Sequence, residues 1–239
     1  MKILVAVIAF NEEKNIDLVI NDLIVHNKYN YDIVVIDNGS NDNTRNIAEE
    51  KGITVLSHPI NSGHSGGTAI TYFNYAFYNN YDLLIQFDGD GQHVAAEIGK
   101  IVEVFSKSNC DYIIGSRFLD KNGFQSSFIR RIGINMFSVI SSYIIKNRVT
   151  DATSGFRGYS RLIMEVFSKK FQHEINDPMQ VLMISYYAGA KISEVPVKMT
   201  VRLHGKSEFT FLPSISFVLN GLMNLFGILL QKKTIKKYF

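Results

Sequence analysis

The stretch LLIQFDGDGQH (residues 83–93) places two aspartates directly after a run of apolar residues that predicts a buried strand. Only Gly89 separates Asp88 from Asp90. Carboxylates at positions i and i+2 of a strand point to the same side, where they repel each other unless a cation lies between them. Mg²⁺ and Mn²⁺ accept one or two carboxylates and complete their shells with substrate phosphates. The pattern therefore predicts a metal site at Asp88 and Asp90, with a solvated Asp-Gly turn as the alternative.

The first half of the chain alternates segments typical of strands with segments typical of helices. Apolar runs predict strands over residues 3–9, 32–37, 54–57, 83–88 and 112–116. The segments between them predict helices over residues 12–26, 44–51, 65–78 and 95–106. Strands that are apolar on both faces and alternate with helices form parallel sheets covered on both sides. We therefore predict an α/β fold whose central sheet is mostly parallel, with helices on both faces and a Rossmann-like nucleotide-binding half.

Composition restricts the class of protein. Of the 239 residues, 46% are hydrophobic and 20% are charged, which excludes the disordered and fibrous classes. The net charge of +3 is too small to indicate nucleic acid, so no nucleic-acid partner is expected. Cys110 is the single cysteine and has no internal disulfide partner, which favours a reducing compartment. Because the chain also opens without the pattern of a secretory signal, we expect a cytoplasmic location.

Three polar clusters follow predicted strands and should meet at one edge of the sheet. They are AFNEE (9–13), IDNGSNDNT (36–44) and FDGDGQH (87–93). In open α/β sheets, ligands bind beyond the carboxyl ends of the strands. In the second cluster, Asp37 could accept a hydrogen bond from a nucleobase or a ribose, or the same segment could simply cap the helix that begins near Thr44.

Glycine-rich and basic segments add weaker signals for phosphate binding. NSGHSGGTAI (61–70) leads into a helix, but it matches neither the P-loop nor the GxGxxG spacing. DATSGFRGYSR (151–161) and EVPVKMTVRLHGKSEF (194–209) combine arginine or lysine with glycine, which suits a diphosphate or a lipid phosphate. An ordinary surface loop is the alternative for both.

The C-terminal segment is apolar and has a basic end. Residues 211–230 are followed by four lysines (Lys232, Lys233, Lys236 and Lys237) and are interrupted by Asn220 and Asn224. These interruptions favour a helix that lies in the membrane interface over one that spans it, and packing on the domain's own core is the alternative. The apolar face expected in the bilayer consists of Phe217, Leu222, Phe226 and Leu229. We predict a catalytic domain over residues 1–210 and an interfacial segment over residues 211–239.

The motifs occur in the order found in one family. IAFNEE, VIDNGSNDNT, NSGHSGG, QFDGDGQH, GSRF, DATSGFRGYSR, EVPVKM and RLHGKS together resemble a family 2 glycosyltransferase with the GT-A fold. Within the family, the chain is most similar to the polyprenyl- or dolichyl-phosphate mannosyltransferase subgroup. The resemblance covers about residues 1–210, and the ordered set is specific although each motif alone is not.

The resemblance implies an inverting, metal-dependent transfer of a sugar from a nucleotide-diphosphate sugar to a polyprenyl phosphate or to a lipid-linked or cell-surface glycan, with Mg²⁺ or Mn²⁺ as cofactor. The implied nucleotide-sugar contacts are Ala9, Asn11, Glu12, Asp37, Asn38, Ser40, Asn61, Gly63, Gly66, Gln86, Asp88, Gly89, Asp90, Arg117, Arg202 and Lys206. The implied acceptor contacts are Ser154, Gly155, Arg157 and Arg131. The expected location is the cytoplasmic face of a membrane, and a homo-oligomer is left open.

A catalytic base is the least defined part of this interpretation. Asp177 and Glu174 are the candidates, with Asp90 as a further catalytic carboxylate, and neither candidate base falls cleanly in the family's register. A sugar hydroxyl must lose a proton to a base, whereas a polyprenyl phosphate is already anionic and needs none. His64 also replaces the usual lysine or arginine of the glycine loop. The rival interpretations are a sugar-nucleotide nucleotidyltransferase and a non-catalytic membrane-associated protein of the same fold.

Overall fold

A computed structural model describes residues 1–63, 66–120, 128–171, 175, 177–202, 204 and 211–237. Within them, seven strands form one sheet: β1 Ile3–Ala9, β2 Asp32–Asp37, β3 Thr54–Ser57, β4 Leu83–Asp88, β5 Tyr112–Ser116, β6 Arg157–Ser160 and β7 Ile192–Pro196. Their order is β3-β2-β1-β4-β6-β5-β7, and only β6 runs antiparallel to its neighbours. The predicted fold class is confirmed, and the five predicted strands have their predicted bounds.

The helices of the described residues cover both faces of this sheet. They are α1 Ile16–Val25, α2 Thr44–Glu50, α3 Gly66–Tyr78, α4 Ile98–Lys107, α5 Phe128–Ile145, α6 Arg161–Glu165, α7 Pro178–Tyr187 and α8 Phe211–Lys237. A 3₁₀ turn, Ala95–Glu97, precedes α4, and a π turn, Val166–Lys170, follows α6. The first predicted helix was expected to begin at residue 12. It begins four residues later because residues 12–15 form a turn that is bonded to the loop after β2.

Alternating side chains of the central strands feed two separate apolar cores. Leu4 and Ala6 of β1 pack with α3, α6 and α7, whereas Val5 and Val7 pack with α1 and α4. Both faces of β1 are therefore buried, as the continuous apolar run predicts for an interior parallel strand.

Strand β6 is not among the strands that the sequence predicts, since the glycines and arginines of residues 151–161 indicate a phosphate-binding segment or a surface loop. It inserts between β4 and β5, where it pairs Gly158 with Ile85 and Arg157 with Gln86. All four of its residues are buried. Its partners lie more than 70 positions away on β4 and more than 40 positions away on β5, so no local pattern indicates the strand. It brings residues 151–157 beside the carboxyl end of β4.

Helix α8 packs one face on the domain and exposes the other. Leu225, Ile228 and Ile235 are buried in the core that contains α3 and α7. The opposite face exposes Leu219, Met223, Phe226 and Leu230, each by 56–70%. No helix in the described residues has the length and apolarity needed to cross a bilayer. The boundary between residues 210 and 211 stays a prediction.

Candidate active site

Backbone contacts bring the ends of β1, β2 and β4 together at one edge of the sheet. Asn38 N donates to Ala9 O over 2.9 Å, and Gly89 N donates to Ile8 O over 2.8 Å. A Cβ atom on Gly89 would lie 2.9 Å from Ile8 O, so this close approach requires glycine. The three polar clusters therefore lie side by side, as the sequence predicted.

Asp88 and Asp90 lie close together, although not in the way expected from strand geometry. Strand β4 ends at Asp88, and Asp90 belongs to the following turn, where Gly91 adopts φ +77°. The expectation that both carboxylates lie on one face of a strand is therefore wrong. Burial, and next the neighbouring Asp88 carboxylate, nevertheless raises the pKa of Asp90. This proximity of like charges favours a bound cation.

His93 orients the Asp88 carboxylate. Asp88 N donates to His93 Nδ1 over 3.0 Å, and His93 Nε2 lies 3.4 Å from Asp88 Oδ2. Burial lowers the pKa of His93 to about 4, so the ring is neutral at pH 7. Because Nδ1 accepts, the ring proton lies on Nε2 and faces the carboxylate. The sequence pattern assigns no role to His93, whose only local signal is its position at the end of FDGDGQH.

Gly155, a predicted acceptor contact, lies against the same carboxylate. A Cβ atom at this position would lie 2.6 Å from Asp88 Oδ2. Any larger residue would displace Asp88, so Gly155 preserves the space in which that carboxylate lies. The loop before β6 thus forms part of the same site as the loop after β4.

The two aspartates fit an open site for a hard divalent cation. The Asp88 side chain is 39% exposed, and the described residues hold no cluster of three or more His, Cys, Asp or Glu side chains able to bind a metal. Mg²⁺ in particular is usually held by one or two carboxylates, with water and substrate phosphates as the other ligands. The donors present match that arrangement and do not form a closed protein cage.

The predicted nucleotide contacts after β2 form a hydrogen-bonded network with the loop after β3. Asp37 and Asn38 are buried, and Asp37 Oδ1 accepts from Ser40 N over 3.1 Å. Asn38 Nδ2 donates to Asn61 Oδ1 and to Gly63 O. Local bonding at the start of α2 comes from another residue, Asp42, whose Oδ1 accepts from Thr44 N over 3.0 Å. Capping therefore does not account for Asp37.

Asn11 connects this network to β1. Its backbone N donates to Ser40 Oγ over 2.9 Å, and its Oδ1 accepts from Asn41 N over 2.9 Å. Asn11 adopts φ +52°, a conformation that asparagine tolerates better than most residues. Gly66, another predicted nucleotide-sugar contact, lies at the start of α3.

A segment from the C-terminal half folds back over β1 and the loop after β4. Arg202 pairs through Nη2 with Glu12 Oε1, and Thr200 Oγ1 donates to Gly91 O over 2.7 Å. Burial raises the pKa of Glu12 to about 7, and the hydrogen bond from Asn15 and the charge of Arg202 partly oppose this. The structure thus brings Arg202 to the predicted edge, and Lys206 lies outside the described residues.

Arg117 and Asp151 form a buried ion pair beneath the site. Arg117 Nε and Nη2 donate to the two Asp151 oxygens over 2.6 and 2.7 Å. Both side chains are almost fully buried. The bonds described for Arg117 are internal, and its predicted contact with the nucleotide sugar stays a prediction.

Of the predicted acceptor residues, Arg157 lines a small cleft, together with Gln86 and Asp177. Arg157 is 1% exposed and donates to the backbone oxygens of three residues, Ala152, Ser154 and Pro178. Ser154 Oγ donates to Gly115 O over 2.7 Å. Arg131 is exposed on α5. These internal bonds show how the cleft is built, and the acceptor roles stay predictions.

Asp177 begins α7 and is held at both carboxylate oxygens. Oδ1 accepts from Gln180 N over 2.9 Å, and Oδ2 accepts from Asn224 Nδ2 of α8 over 2.5 Å. The residue is 5% exposed, and burial raises its pKa. The other candidate base, Glu174, lies outside the described residues. In the sequence, Asn224 is only a polar interruption of the last helix, and no local pattern connects it to Asp177.

Known proteins resemble this chain over most of its length. The family described as glycosyl transferase family 2 matches residues 4–167. The chain is 30% identical over 209 residues to the UDP-N-acetylglucosamine–dolichyl-phosphate N-acetylglucosaminyltransferase of Methanococcus voltae, which covers 80% of this chain and 82% of that protein. It is 24% identical over 219 residues to the polyprenol monophosphomannose synthase of Mycolicibacterium smegmatis, covering 87% and 80%.

A solved structure shares the fold. Glucosyl-3-phosphoglycerate synthase of Mycobacterium tuberculosis, in complex with Mn²⁺, UDP and glucosyl-3-phosphoglycerate, superposes with a TM-score of 0.69. The match covers 95% of this chain and 79% of that chain, at 17% sequence identity. The likeness therefore concerns the arrangement of the sheet and helices.

Proposed function

Because the chain belongs to glycosyl transferase family 2, we propose that it transfers a sugar from a nucleoside-diphosphate donor to a polyprenyl phosphate, with inversion at the anomeric carbon. The match to the family over residues 4–167 confirms the predicted family and enzyme class. The solved structure confirms the predicted fold. The observation that carries the proposal is the open pair of carboxylates, Asp88 and Asp90, at the edge where β1, β2 and β4 end.

The donor would lie along this edge. Asp37 and Asn38 would bind the nucleoside, and a divalent ion at Asp88 and Asp90 would bind the diphosphate. A bound Mg²⁺ or Mn²⁺ supplies positive charge that stabilises the departing diphosphate. Arg202 adds a second positive charge near Asp90, where it partly opposes the rise in the pKa of Asp90 that burial and Asp88 cause.

The acceptor would attack from the opposite side of the sugar. An oxygen of the polyprenyl phosphate donates an electron pair to the anomeric carbon, and the bond between that carbon and the diphosphate oxygen breaks. The electron pair of the broken bond leaves with the nucleoside diphosphate. No proton has to be removed, because the attacking oxygen is already anionic. The names of the two relatives support this acceptor class, since each refers to a dolichyl phosphate or a polyprenol monophosphate sugar.

The bonding of Asp177 also supports a phosphate acceptor. A general base needs an oxygen that can receive a proton from the substrate, and both Asp177 oxygens already accept hydrogen bonds within the chain. Each oxygen keeps a further lone pair, but Asp177 is only 5% exposed, so a hydroxyl acceptor would have to displace packed groups to reach it. The proposed reaction leaves the carboxylate in place.

A transfer assay tests the proposal. The purified protein is incubated with UDP-, GDP- or dTDP-sugars, Mn²⁺ and a short polyprenyl phosphate, and the product is identified by mass spectrometry. A matched polyprenol without the phosphate is the control acceptor. We expect a polyprenyl-phosphate sugar with one of the donors, loss of product in excess EDTA and none from the polyprenol. Transfer to the polyprenol or to a glycan, but not to the phosphate, would contradict the proposal.

We further propose that α8 places the enzyme at an anionic membrane surface, where a polyprenyl phosphate would be found. Leu219, Met223, Phe226 and Leu230 form an exposed apolar stripe, and Lys232, Lys233 and Lys236 are exposed beyond it. Helix α5 also exposes Ile132, Val139 and Tyr143. Each lysine near an anionic bilayer contributes about 1 kcal/mol. Phe226 belongs to the apolar face expected from the sequence, but Leu222 and Leu229 pack on the core instead.

Flotation with liposomes of rising anionic-lipid content tests this placement. We expect binding that weakens in high salt, in a variant with Lys232, Lys233, Lys236 and Lys237 changed to Gln, and in Met223→Asp. Replacing Lys107 and Lys169, which lie on other helices, is the matched control and should leave binding unchanged. Absence of binding at every lipid composition would contradict the placement.

A further inference from the structure

Asn224 connects the C-terminal helix to the cleft. Its Nδ2 donates to Asp177 Oδ2 over 2.5 Å, although the two residues lie 47 positions apart. Asp177 Oδ1 accepts from Gln180 N at the start of α7. The carboxylate is thus held from two directions, by the first turn of α7 and by α8. It is 5% exposed, so water does not replace a lost donor easily.

The start of α7 is also bonded to the central sheet. Pro178 O accepts from Arg157 Nη1 over 2.7 Å, and Arg157 pairs with Gln86 in the register of β6 and β4. Gln86 precedes Asp88 by two positions on β4. A shift of the first turn of α7 would therefore change the cleft at a place close to the metal-binding aspartates. Asp177, Arg157 and Gln86 all line that cleft.

Asn224 and the exposed apolar stripe lie on different faces of the same helix. Met223 is 65% exposed and Phe226 is 64% exposed, whereas Asn224 is half-buried and turned toward α7. One helix thus carries both the proposed membrane-binding surface and the bond to the cleft. We propose that Asn224 is a positioning residue, which through Asp177 holds the start of α7 and so shapes the part of the cleft that receives the acceptor phosphate. This inference rests on the proposed function.

If Asn224 positions the acceptor part of the cleft, its replacement should weaken binding of the acceptor and leave binding of the donor unchanged. Asn224→Ala removes the donor to Asp177 Oδ2 without touching the edge formed by β1, β2 and β4. We expect the KM for the polyprenyl phosphate to rise about tenfold, which corresponds to the loss of a hydrogen bond to a charged group. The dissociation constant of the nucleoside-diphosphate sugar should stay within twofold of the parent value. A residue that only stabilised the fold would lower the unfolding midpoint and change neither constant.

The experiment uses the full-length protein with four variants: Asn224→Ala, Asn224→Gln, Asp177→Ala and the double variant Asn224→Ala/Asp177→Ala. Gln231→Ala is the matched control, since Gln231 is an exposed amide on the same helix. Asn224→Gln keeps the amide but moves it by one methylene, which covers the case in which Asn224→Ala folds poorly. The KM for the acceptor, the donor affinity and the urea midpoint are measured for each variant.

Coupling between the two residues decides the inference. We expect Asn224→Ala to have no further effect on the acceptor KM once Asp177 is alanine, and we expect hydrogen exchange at the start of α7 to accelerate in the single variant. An unchanged acceptor KM in both Asn224 variants would overturn the inference, as would fully additive effects in the double variant. If the parent protein transfers no sugar, the proposed function fails. Hydrogen exchange and the double-mutant cycle for unfolding then still report whether Asn224 holds α7.

Discussion

Two sets of acidic residues in this protein differ in how the chain satisfies their oxygens. The edge set lies at the ends of strands and consists of Asp37, Asp88 and Asp90. The embedded set lies around β6 and β7 and consists of Asp151, Asp177 and Glu194. The Asp88 side chain is 39% exposed, whereas that of Asp151 is fully buried against Arg117. Glu194 accepts from Thr150 N and Asp151 N. Asp151 and Glu194 are surrounded by donors of their own chain and hold the fold, whereas the accessible Asp88 can bind a ligand. Asp37 belongs to the edge by position but is 3% exposed and accepts from Ser40 N.

The largest effect is expected from the embedded set, on stability. Asp151→Ala leaves Arg117 as a buried charge without its partner, which should lower the free energy of unfolding by about 3–5 kcal/mol. Urea denaturation measures the change. Glu49→Ala removes the partner of Arg45 in an exposed pair and should have a much smaller effect, because solvent screens such pairs. Equal losses in the two variants would remove the distinction between embedded and exposed carboxylates.

The next effect is expected from the edge set, on transfer. Asp90→Asn keeps the shape of the side chain but removes the charge that a cation needs, so we expect the transfer rate to fall about 10²–10³-fold. Asp88→Asn should have a smaller effect. Urea midpoints should stay close to that of the parent protein, and excess EDTA should reproduce the loss of transfer. Full activity in EDTA would show that Asp88 and Asp90 act without a metal.

A smaller effect is expected from Asp37, on donor binding alone. A hydrogen bond to a charged group contributes about 1.5–3 kcal/mol. Asp37→Asn should therefore raise the dissociation constant of the nucleoside-diphosphate sugar about 10- to 100-fold. Contacts with the nucleoside form equally in the ground and transition states, so the rate at saturating donor should hardly change. Isothermal titration and steady-state kinetics separate the two constants. An unaltered dissociation constant would assign Asp37 to the loop network only.

The smallest effect concerns Glu12, which belongs to the edge by position and to the embedded set by burial. Burial raises the pKa of Glu12 from 4.5 to about 7 in the folded protein. Its contribution to stability is then fully present below about pH 4.5 and is lost as the pH rises through 7. In metal-free parent protein, the free energy of unfolding should fall by about 1–3 kcal/mol between pH 5 and pH 8 because of Glu12. This fall should be absent in Glu12→Gln. Parallel urea curves for the parent and the variant across this range would contradict the assignment.

The sequence predicted the first half of the fold well because its signals are local. Five strands and the edge at which their polar loops meet follow from apolar runs and from the geometry of parallel sheets. Strand β6 escaped prediction because its pairing with β4 and β5 depends on residues far away in the sequence. The same holds for the outward face of α8. The sequence predicts that Leu222 and Leu229 face a membrane. In the structure, both pack against the core on the side of α8 that contacts α7.

The residues of the site divide in the same way. The sequence by itself determined that Asp37 and Asp88 end buried strands and that Asp90 follows one, and parallel strands place such residues at one edge. Only the tertiary structure decided which side chains complete the site, namely His93 for Asp88, Arg117 for Asp151 and Asn224 for Asp177. The physical reason is that apolar periodicity specifies which face of an element is buried, whereas a hydrogen bond between side chains depends on the order and register in which distant elements pack.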